Sequence, residues 1–250
     1  MNLHELSLRR MLNSRTLGRS IRLFRMFLRE QSEPRAFYEM LADDTCTLIE
    51  EYFGLDGSLL LDVGGGPGYL AEAAQRRGAR AVTVDISFEE LHLHGRKPSA
   101  AIVGDATGLP LRSDSFDVVH ASNVAEHLAS REELVSELSR VVKPSGVVFL
   151  SFTPWLSPWG GHETSPWHYL GGEYAAKRYR ARHGREPKNR YLSTLFPVYV
   201  GEICQILATL GLEVIDAFPR YYPRWAAPLA RIPLLREVAT WNYSVVFAKH

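Results

Sequence analysis

A chain of 250 residues that is 46% hydrophobic can bury one substantial core, and one elaborated domain is its simplest arrangement. Its 29 lysines and arginines against 28 acidic residues leave a net charge of +1, which excludes a nucleic-acid binder working through a global field and makes any basic character local. The two cysteines, Cys46 and Cys204, lie far apart and outside any CxxC or Cys/His spacing; this argues against a disulfide framework and a zinc site, fits a reducing compartment, and makes both small core hydrophobes.

Residues 1–30 form a basic segment. At 100° per residue, Arg15, Arg19, Arg22, Arg25 and Arg29 share one arc of a helix, and Leu17, Ile21, Phe24 and Leu28 share the opposite one. The apolar stripe is expected to pack on the domain as a cover for a ligand cleft, with the arginines in water or in weak contact with an anionic membrane. A second helix runs over about 35–53 and completes an N-terminal unit, residues 1–54. No uncharged apolar run approaches the ~20 residues of a membrane span and no signal-peptide core is present, so a cytoplasmic protein is expected.

From residue 55 to 250, short Val-, Ile- and Leu-rich strands are expected at 58–63, 80–86, 100–105, 116–122, 146–152, 212–218 and 242–250. Helical patterns near 68–77, 87–94, 130–142 and 200–210 separate most of them. Alternation of this kind predicts an α/β domain with a doubly wound, mostly parallel, seven-stranded sheet covered on both faces. The last strand follows a Pro- and aromatic-rich connection without a clear crossover helix, which predicts an antiparallel insertion. Two insertions, about 153–199 after strand five and 219–240 after strand six, adjoin the sheet edges where α/β proteins build substrate sites.

The stretch "LLLDVGGGPGYL" opens a strand–loop–helix unit whose glycines let a ligand approach bare backbone and a helix N-terminus. It fails the dinucleotide pattern G-x-G-x-x-G: Gly64 and Gly66 match, Tyr69 stands at the third position, and glycine falls at 68, giving D-x-G-x-G-x-G from Asp62. Asp85 ends the second strand, where a carboxylate can accept from both hydroxyls of a ribose. Asp105 ends the third, where it can meet an exocyclic amine of adenine. Each could instead serve as a helix cap, Asp85 for the helix beginning at "SFEEL".

Together "LLLDVGGGPGYL", "VTVDIS", "VGDATGLPLRSDSFDVVHASNVAEHL" and "RVVKPSGVVFLSF" resemble the class I S-adenosylmethionine-dependent methyltransferases of the type 11 subgroup, closely over residues 55–152 and elsewhere only in strand order. The resemblance implies S-adenosylmethionine as cofactor. It brings Gly64, Gly66 and Gly68 near the methionine part, sets Asp85 on the ribose, Asp105 with Ala106 at the adenine and Asn123 beside the cofactor, and counts Asp62 and Ile86 among the binding residues. Ser145 departs from the family's usual glycine, in the turn expected before strand five.

Methyl transfer from a sulfonium gains much of its rate from holding nucleophile and methyl together, and a base matters when the acceptor is a hydroxyl. His127 is the base candidate, Glu126 its neighbour or a bystander, and His120 a packed core histidine. His162, Glu163, His168 and Tyr169 match no standard metal spacing and are expected in a lid, so no metal is expected. Trp155, Trp159, Trp167, Trp225, Tyr221 and Tyr222 could wall an apolar acceptor pocket or only staple that lid down. The basic run from Lys177 to Arg190 could meet an anionic substrate group or form a solvated helix face. The expected acceptor is apolar or amphiphilic, a lipid, a quinone-like ring or a lipid-linked glycan, and not a nucleic acid. Two other readings are a catalytically silent cofactor-binding scaffold, which would transfer no methyl, and an NAD-dependent oxidoreductase, which Tyr69 and Asp105 disfavour.

Overall fold

The computed structural model describes residues 15–249. Its sheet is built from β1 (Leu59–Val63), β2 (Arg80–Asp85), β3 (Ala101–Val103), β4 (Phe116–Ser122), β5 (Val142–Phe152), β6 (Glu213–Pro219) and β7 (Tyr243–Ala248), in the order β3-β2-β1-β4-β5-β7-β6. The first five strands pair in parallel, and β7 is inserted antiparallel to both β5 and β6. The seven strands anticipated in the sequence are all present, the last with the anticipated direction. The chain winds from β1 outward through β2 to β3, then returns to place β4 on the other side of β1. Strand order therefore reverses between β1 and β4, and open α/β sheets bind ligands in the crevice outside the carboxyl ends at such a switch point.

Successive side chains of a strand point to opposite faces, and this sorts the core into two layers. Leu60, Val118, Phe149 and Val246 bury one face under α1's neighbour, the helix Pro34–Ile49, and the helix Tyr69–Gln75. Leu61, Val119, Val148 and Leu150 bury the other under Arg131–Val141 and Val200–Thr209. Numbered in chain order, the helices are α1 (Leu17–Phe27), α2 (Pro34–Ile49), α3 (Tyr69–Gln75), α4 (Phe88–Leu91), α5 (Arg131–Val141), α6 (Gly172–His183), α7 (Val200–Thr209) and α8 (Pro233–Val238). α5 shows why such a segment is helical: Ser130 Oγ accepts from the Glu133 N–H at its start, Glu132 and Glu133 sit in its first turn, and Leu134, Val135, Leu138 and Val141 bury one side. Ser145 lies inside the span of β5 and not in a turn before it, because the β4–β5 register slips between Phe116 and Val118 and the extra residues bulge out.

The orientation of α1 reverses the sequence expectation. Leu17, Ile21, Phe24 and Leu28 are exposed, while Arg15 and Arg19 are 4% and 6% exposed. Carboxylates supplied by distant segments drew those two arginines inward. Arg19 forms a fork with Asp44, Nε and Nη2 each donating over 2.6 Å, and both side chains are buried. Arg15 donates to Glu51, Tyr52 and Asp216 and lies 4.0 Å above the ring of Phe218. Leu23 and Phe27, on the flank of the predicted stripe, face the protein instead. Residues 1–14 of the predicted basic segment lie outside the described residues. Cys46 is buried as expected, whereas Cys204 is only partly covered; both are free thiols. Among the described residues no helix is long and apolar enough to cross a membrane.

Candidate functional site

The glycine loop leaves β1 at the switch point. Gly66 has φ 49°, and the nearest atom to a Cβ built there is the Glu90 carbonyl oxygen at 3.8 Å, so this backbone turns an open side to the crevice. Gly68 is different. With φ 77° it begins α3, and a Cβ on it would stand 2.9 Å from Pro98 side-chain carbons; it does not line the crevice. Asp85 ends β2 as expected, whereas β3 stops at Val103 and Asp105 lies two residues beyond it; neither carboxylate, nor Ile86 or Ala106, is among the residues lining the crevice. Asp85 Oδ2 accepts from the Gly66 N–H at 3.1 Å and Oδ1 from the Ser87 N–H at 3.2 Å. The cap of α4 is Ser87, whose Oγ accepts from Glu90, so Asp85 is not that cap and instead ties the glycine loop to the end of β2. Ile86 beside it is 68% exposed. Beyond the next strand Asp105 Oδ1 accepts from both the N–H and the Oγ1 of Thr107, and Ala106 packs against the core.

The crevice is a cleft of about 700 Å³ bounded by Gly64–Gly66, by α2 through Tyr38 and Leu41, and by Asp62, His120 and Arg220. Asp62 Oδ1 accepts from His120 Nδ1 at 2.8 Å, which fixes the ring; His120 Nε2 is buried without a partner. His120 is thus buried as expected, but it borders the cleft and is more than packing. Arg220 was not anticipated. It follows β6 at the same carboxyl edge, is 1% exposed, and gives Nη2 to Thr45 Oγ1 at 2.6 Å, while Nε and Nη1 have no partner. No carboxylate among the described residues forms an ion pair with it; burial pulls its affinity for the proton below the ordinary arginine value, and the nearby Tyr221 and Asp44 offset this only in part. Nε and Nη1, without a close hydrogen bond among the described residues, fit an anionic ligand group with two oxygens, the shape of a carboxylate. Tyr69, at the position of the absent third glycine, is buried, stacks on Tyr38 with centroids 5.6 Å apart and lies 4.2 Å under Arg96.

A second cavity of about 520 Å³ adjoins the first; Gln31, Tyr38, Asn123, His127 and Lys188 border both. Aromatic rings form its deep wall. Trp159 stacks on Trp241 with centroids 4.6 Å apart, Phe27 meets Trp241 edge-on at 4.6 Å, and Tyr221 stands at 5.1 Å from the same indole. The aromatic set named in the sequence divides accordingly. Trp155 is buried against His168 and Tyr191, Trp167 lies under Arg178, and Trp225 is 74% exposed, leaving Trp159 and Tyr221 on the cavity. Trp241, hidden in the run before the last strand, was missed. From the basic run only Lys188 and its neighbour Asn189 reach the cavity.

His127 stands where the two cavities meet. Its Nδ1 lies 2.6 Å from the Thr194 carbonyl oxygen, which can only accept, so Nδ1 carries the proton and the neutral ring keeps Nε2 as its basic atom. His162, 5.7 Å away between ring centres, is pulled down to about 4 by burial and then by His127, and so stays neutral. Glu126 lines neither cavity: it is buried, its carboxyl is pushed up by that burial, and Oε1 accepts from the Thr153 N–H at 3.2 Å. It ties the turn after β4 to Thr153 and faces neither cavity. His168 gives Nε2 to the Ser157 carbonyl and is structural. Asn123 has φ 55° and its Oδ1 accepts from Asn242 at 2.8 Å, which ties the end of β4 to the start of β7 at the cavity border. Asp85→Ala is expected to weaken nucleoside binding by about 1.5–3 kcal/mol, the range for hydrogen bonds to a charged group. Titration calorimetry with unchanged affinity would remove Asp85 from the ribose.

Comparison with known proteins agrees with this geometry. A methyltransferase domain model matches residues 61–150. An uncharacterized methyltransferase of Mycobacterium sp. (strain KMS) is 43% identical over 242 residues, covering 92% of this chain and 94% of the relative. One from Mycobacterium marinum is 42% identical over 243 residues, covering 93% and 95%. Among solved structures, a TehB-like SAM-dependent methyltransferase from Corynebacterium glutamicum aligns with TM-score 0.57 at 16% identity over 92% of this chain and 99% of that one. The magnesium protoporphyrin IX methyltransferase of Synechocystis PCC 6803, solved with bound SAH, aligns at 0.52 and 17% identity over 85% and 83%. Identity at that level speaks for the fold alone, but the mycobacterial relatives extend over nearly the whole chain. The chain therefore belongs to the class I S-adenosylmethionine-dependent methyltransferases of type 11, and S-adenosylmethionine is its cofactor.

Proposed function

We propose that the methyl acceptor is an apolar or amphiphilic small molecule, a lipid, a quinone-like compound or a lipid-linked glycan, seated in the aromatic cavity with its nucleophile beside His127. The observation that carries this is the junction itself: a cavity walled by Phe27, Trp159, Tyr221 and Trp241 opens onto the cofactor cleft at Asn123 and His127. Beside the aromatic wall the cavity carries polar groups, Glu30, Gln31, Glu163, Lys188 and Asn189 with Asn123, His127 and Asn242, which suits a ligand with one apolar body and one polar end.

The chain's own residues divide the work. In this reading the Gly64–Gly66 backbone and Arg220 hold the amino-acid end of the cofactor, with Asp62 keeping His120 in place. Asp85 and Ile86 hold the ribose, Asp105 and Ala106 border the adenine, and Asn123 orders the junction. Gly68 contributes by starting α3 and not by contact. When bound, the cofactor supplies an activated methyl on a sulfonium. His127 Nε2 accepts the proton that an acceptor hydroxyl loses as its oxygen is methylated, and Thr194 steadies the imidazolium that forms. Neutral His162 adds no second positive charge beside it. α1 borders the acceptor cavity through Leu23 and Phe27, and α2 borders both spaces through Tyr38 and Leu41.

Incubating the enzyme with methyl-labelled cofactor and a fractionated cell extract tests the acceptor class. Label is expected in the lipid-extractable fraction, and Trp159→Ala is expected to raise KM for the acceptor by roughly tenfold or more while cofactor affinity holds, the aromatic contact being worth about 1.5 kcal/mol or above. Label confined to protein or nucleic acid overturns the proposal.

A further inference from the structure

We infer that the outward face of α1 together with the 224–238 segment docks this enzyme on an anionic lipid bilayer. The stripe Leu17, Ile21, Phe24 and Leu28 is exposed because Arg15 and Arg19 turned the other side of the helix inward. The 224–238 segment presents Trp225 (74% exposed) and Leu234 (80% exposed). It is tied to α1 at both ends. The Arg224 N–H donates to the Arg15 carbonyl at 2.8 Å, and just beyond α8 the Trp241 indole meets Phe24 at 5.8 Å and Phe27 at 4.6 Å. Exposed side chains of this size on two adjoined segments are more than the scattered apolar residues of an ordinary surface.

Charge selects the occupant. On the wheel of α1, Arg22, Arg25 and Arg29 flank the stripe, and all three are exposed, as is Arg231. No aspartate or glutamate occurs in α1 or between Pro219 and Arg236, although the whole chain carries only +1. A second copy seated on the same face would set Arg22, Arg25 and Arg231 against their own counterparts, with acids only at its edges, Glu33 beside Arg29 and Glu237 at the end of the 224–238 segment. Residues 1–14 carry Arg9 and Arg10 against a single Glu5, and covering the face with them would bring like charges together. An anionic bilayer satisfies both halves of the face: apolar side chains enter the acyl boundary, tryptophan settles at the headgroups, and arginines meet lipid phosphates. The inner side of α1, Leu23 and Phe27, lines the acceptor cavity, so the docked helix lies between the lipid and that cavity. Docking stands or falls separately from the acceptor reading, since a water-soluble acceptor would leave the face unchanged.

Sedimentation of the full chain with vesicles of phosphatidylcholine alone, and of phosphatidylcholine mixed with phosphatidylglycerol, is the test. Binding to the mixed vesicles at low salt, released by added salt, is expected. The combined variant Arg22→Gln, Arg25→Gln and Arg29→Gln should lose on the order of a hundredfold in partitioning, about fivefold for each arginine near the surface. The variant Leu28→Ser, Trp225→Ser and Leu234→Ser should also fall into the supernatant. Calorimetry with S-adenosylmethionine on each variant separates loss of docking from loss of fold or of the cofactor site. No binding at low salt, or binding that both variants retain, overturns the inference. So does self-association in sedimentation velocity that the Leu28→Ser variant abolishes, which gives the face to a second copy, or binding that appears only after residues 1–14 are removed.

Discussion

His127→Gln is expected to lower kcat on a hydroxyl acceptor by about 10²- to 10⁴-fold, the range for losing a positioned general base. Glutamine preserves polarity and much of the volume but has no basic atom to replace Nε2. Cofactor affinity, read by calorimetry, should change little, because His127 stands at the border of the cleft and its defined bond runs to Thr194 on the other side. A variant with full kcat makes His127 a support for the 194 loop. A variant that keeps kcat and only raises KM for the acceptor makes it an acceptor contact.

Arg220→Met separates binding from stability. Methionine is of comparable length and apolar, and it removes a buried cation whose Nε and Nη1 lack partners among the described residues. Replacing a buried charge with a well-packed hydrophobe is often neutral or stabilising, so the unfolding midpoint should hold or rise even though the bond to Thr45 is lost. Cofactor affinity should fall by about 1.5–3 kcal/mol, roughly 10- to 150-fold, the contribution of hydrogen bonds to a charged group. Few structural residues behave in this opposed way. A variant that unfolds early yet binds normally would make Arg220 a framework residue and leave the carboxylate of the ligand to other donors.

The sheet was legible because parallel strands buried on both faces read as runs of valine, isoleucine and leucine, and because turns and carboxylates punctuate their ends at regular places. Asp85 and Asp105 were singled out by position along the chain, and β2–β3 pairing sets Asp85 beside Val103, two residues before Asp105. The orientation of α1 was not legible. A helical wheel ranks its faces by hydropathy, whereas the buried side was chosen by Asp44, Glu51 and Asp216, the last 201 residues from Arg15. Arg220 and Trp241 were missed for a related reason. Each looks like an ordinary loop residue until the antiparallel pairing of β6 with β7 brings the strand ends together at the crevice. The one available clue was that Arg220 directly follows a strand at the carboxyl edge, the position that drew attention to Asp85.

That pairing has a bearing on how such an enzyme changes its acceptor. The Arg220 N–H donates to the Asn242 carbonyl at 2.9 Å, so the chain between them leaves and re-enters the sheet at a single closed neck. Lengthening an excursion whose ends are already pinned costs little, since each doubling of a flexible loop adds only about 0.6 kcal/mol of closure entropy. Tyr221 and Trp241 lie within the neck, whereas the glycine loop and the aspartates lie outside it. A change in the length of residues 221–241 would therefore reshape the aromatic cavity at Tyr221 and Trp241 while leaving the glycine loop in place.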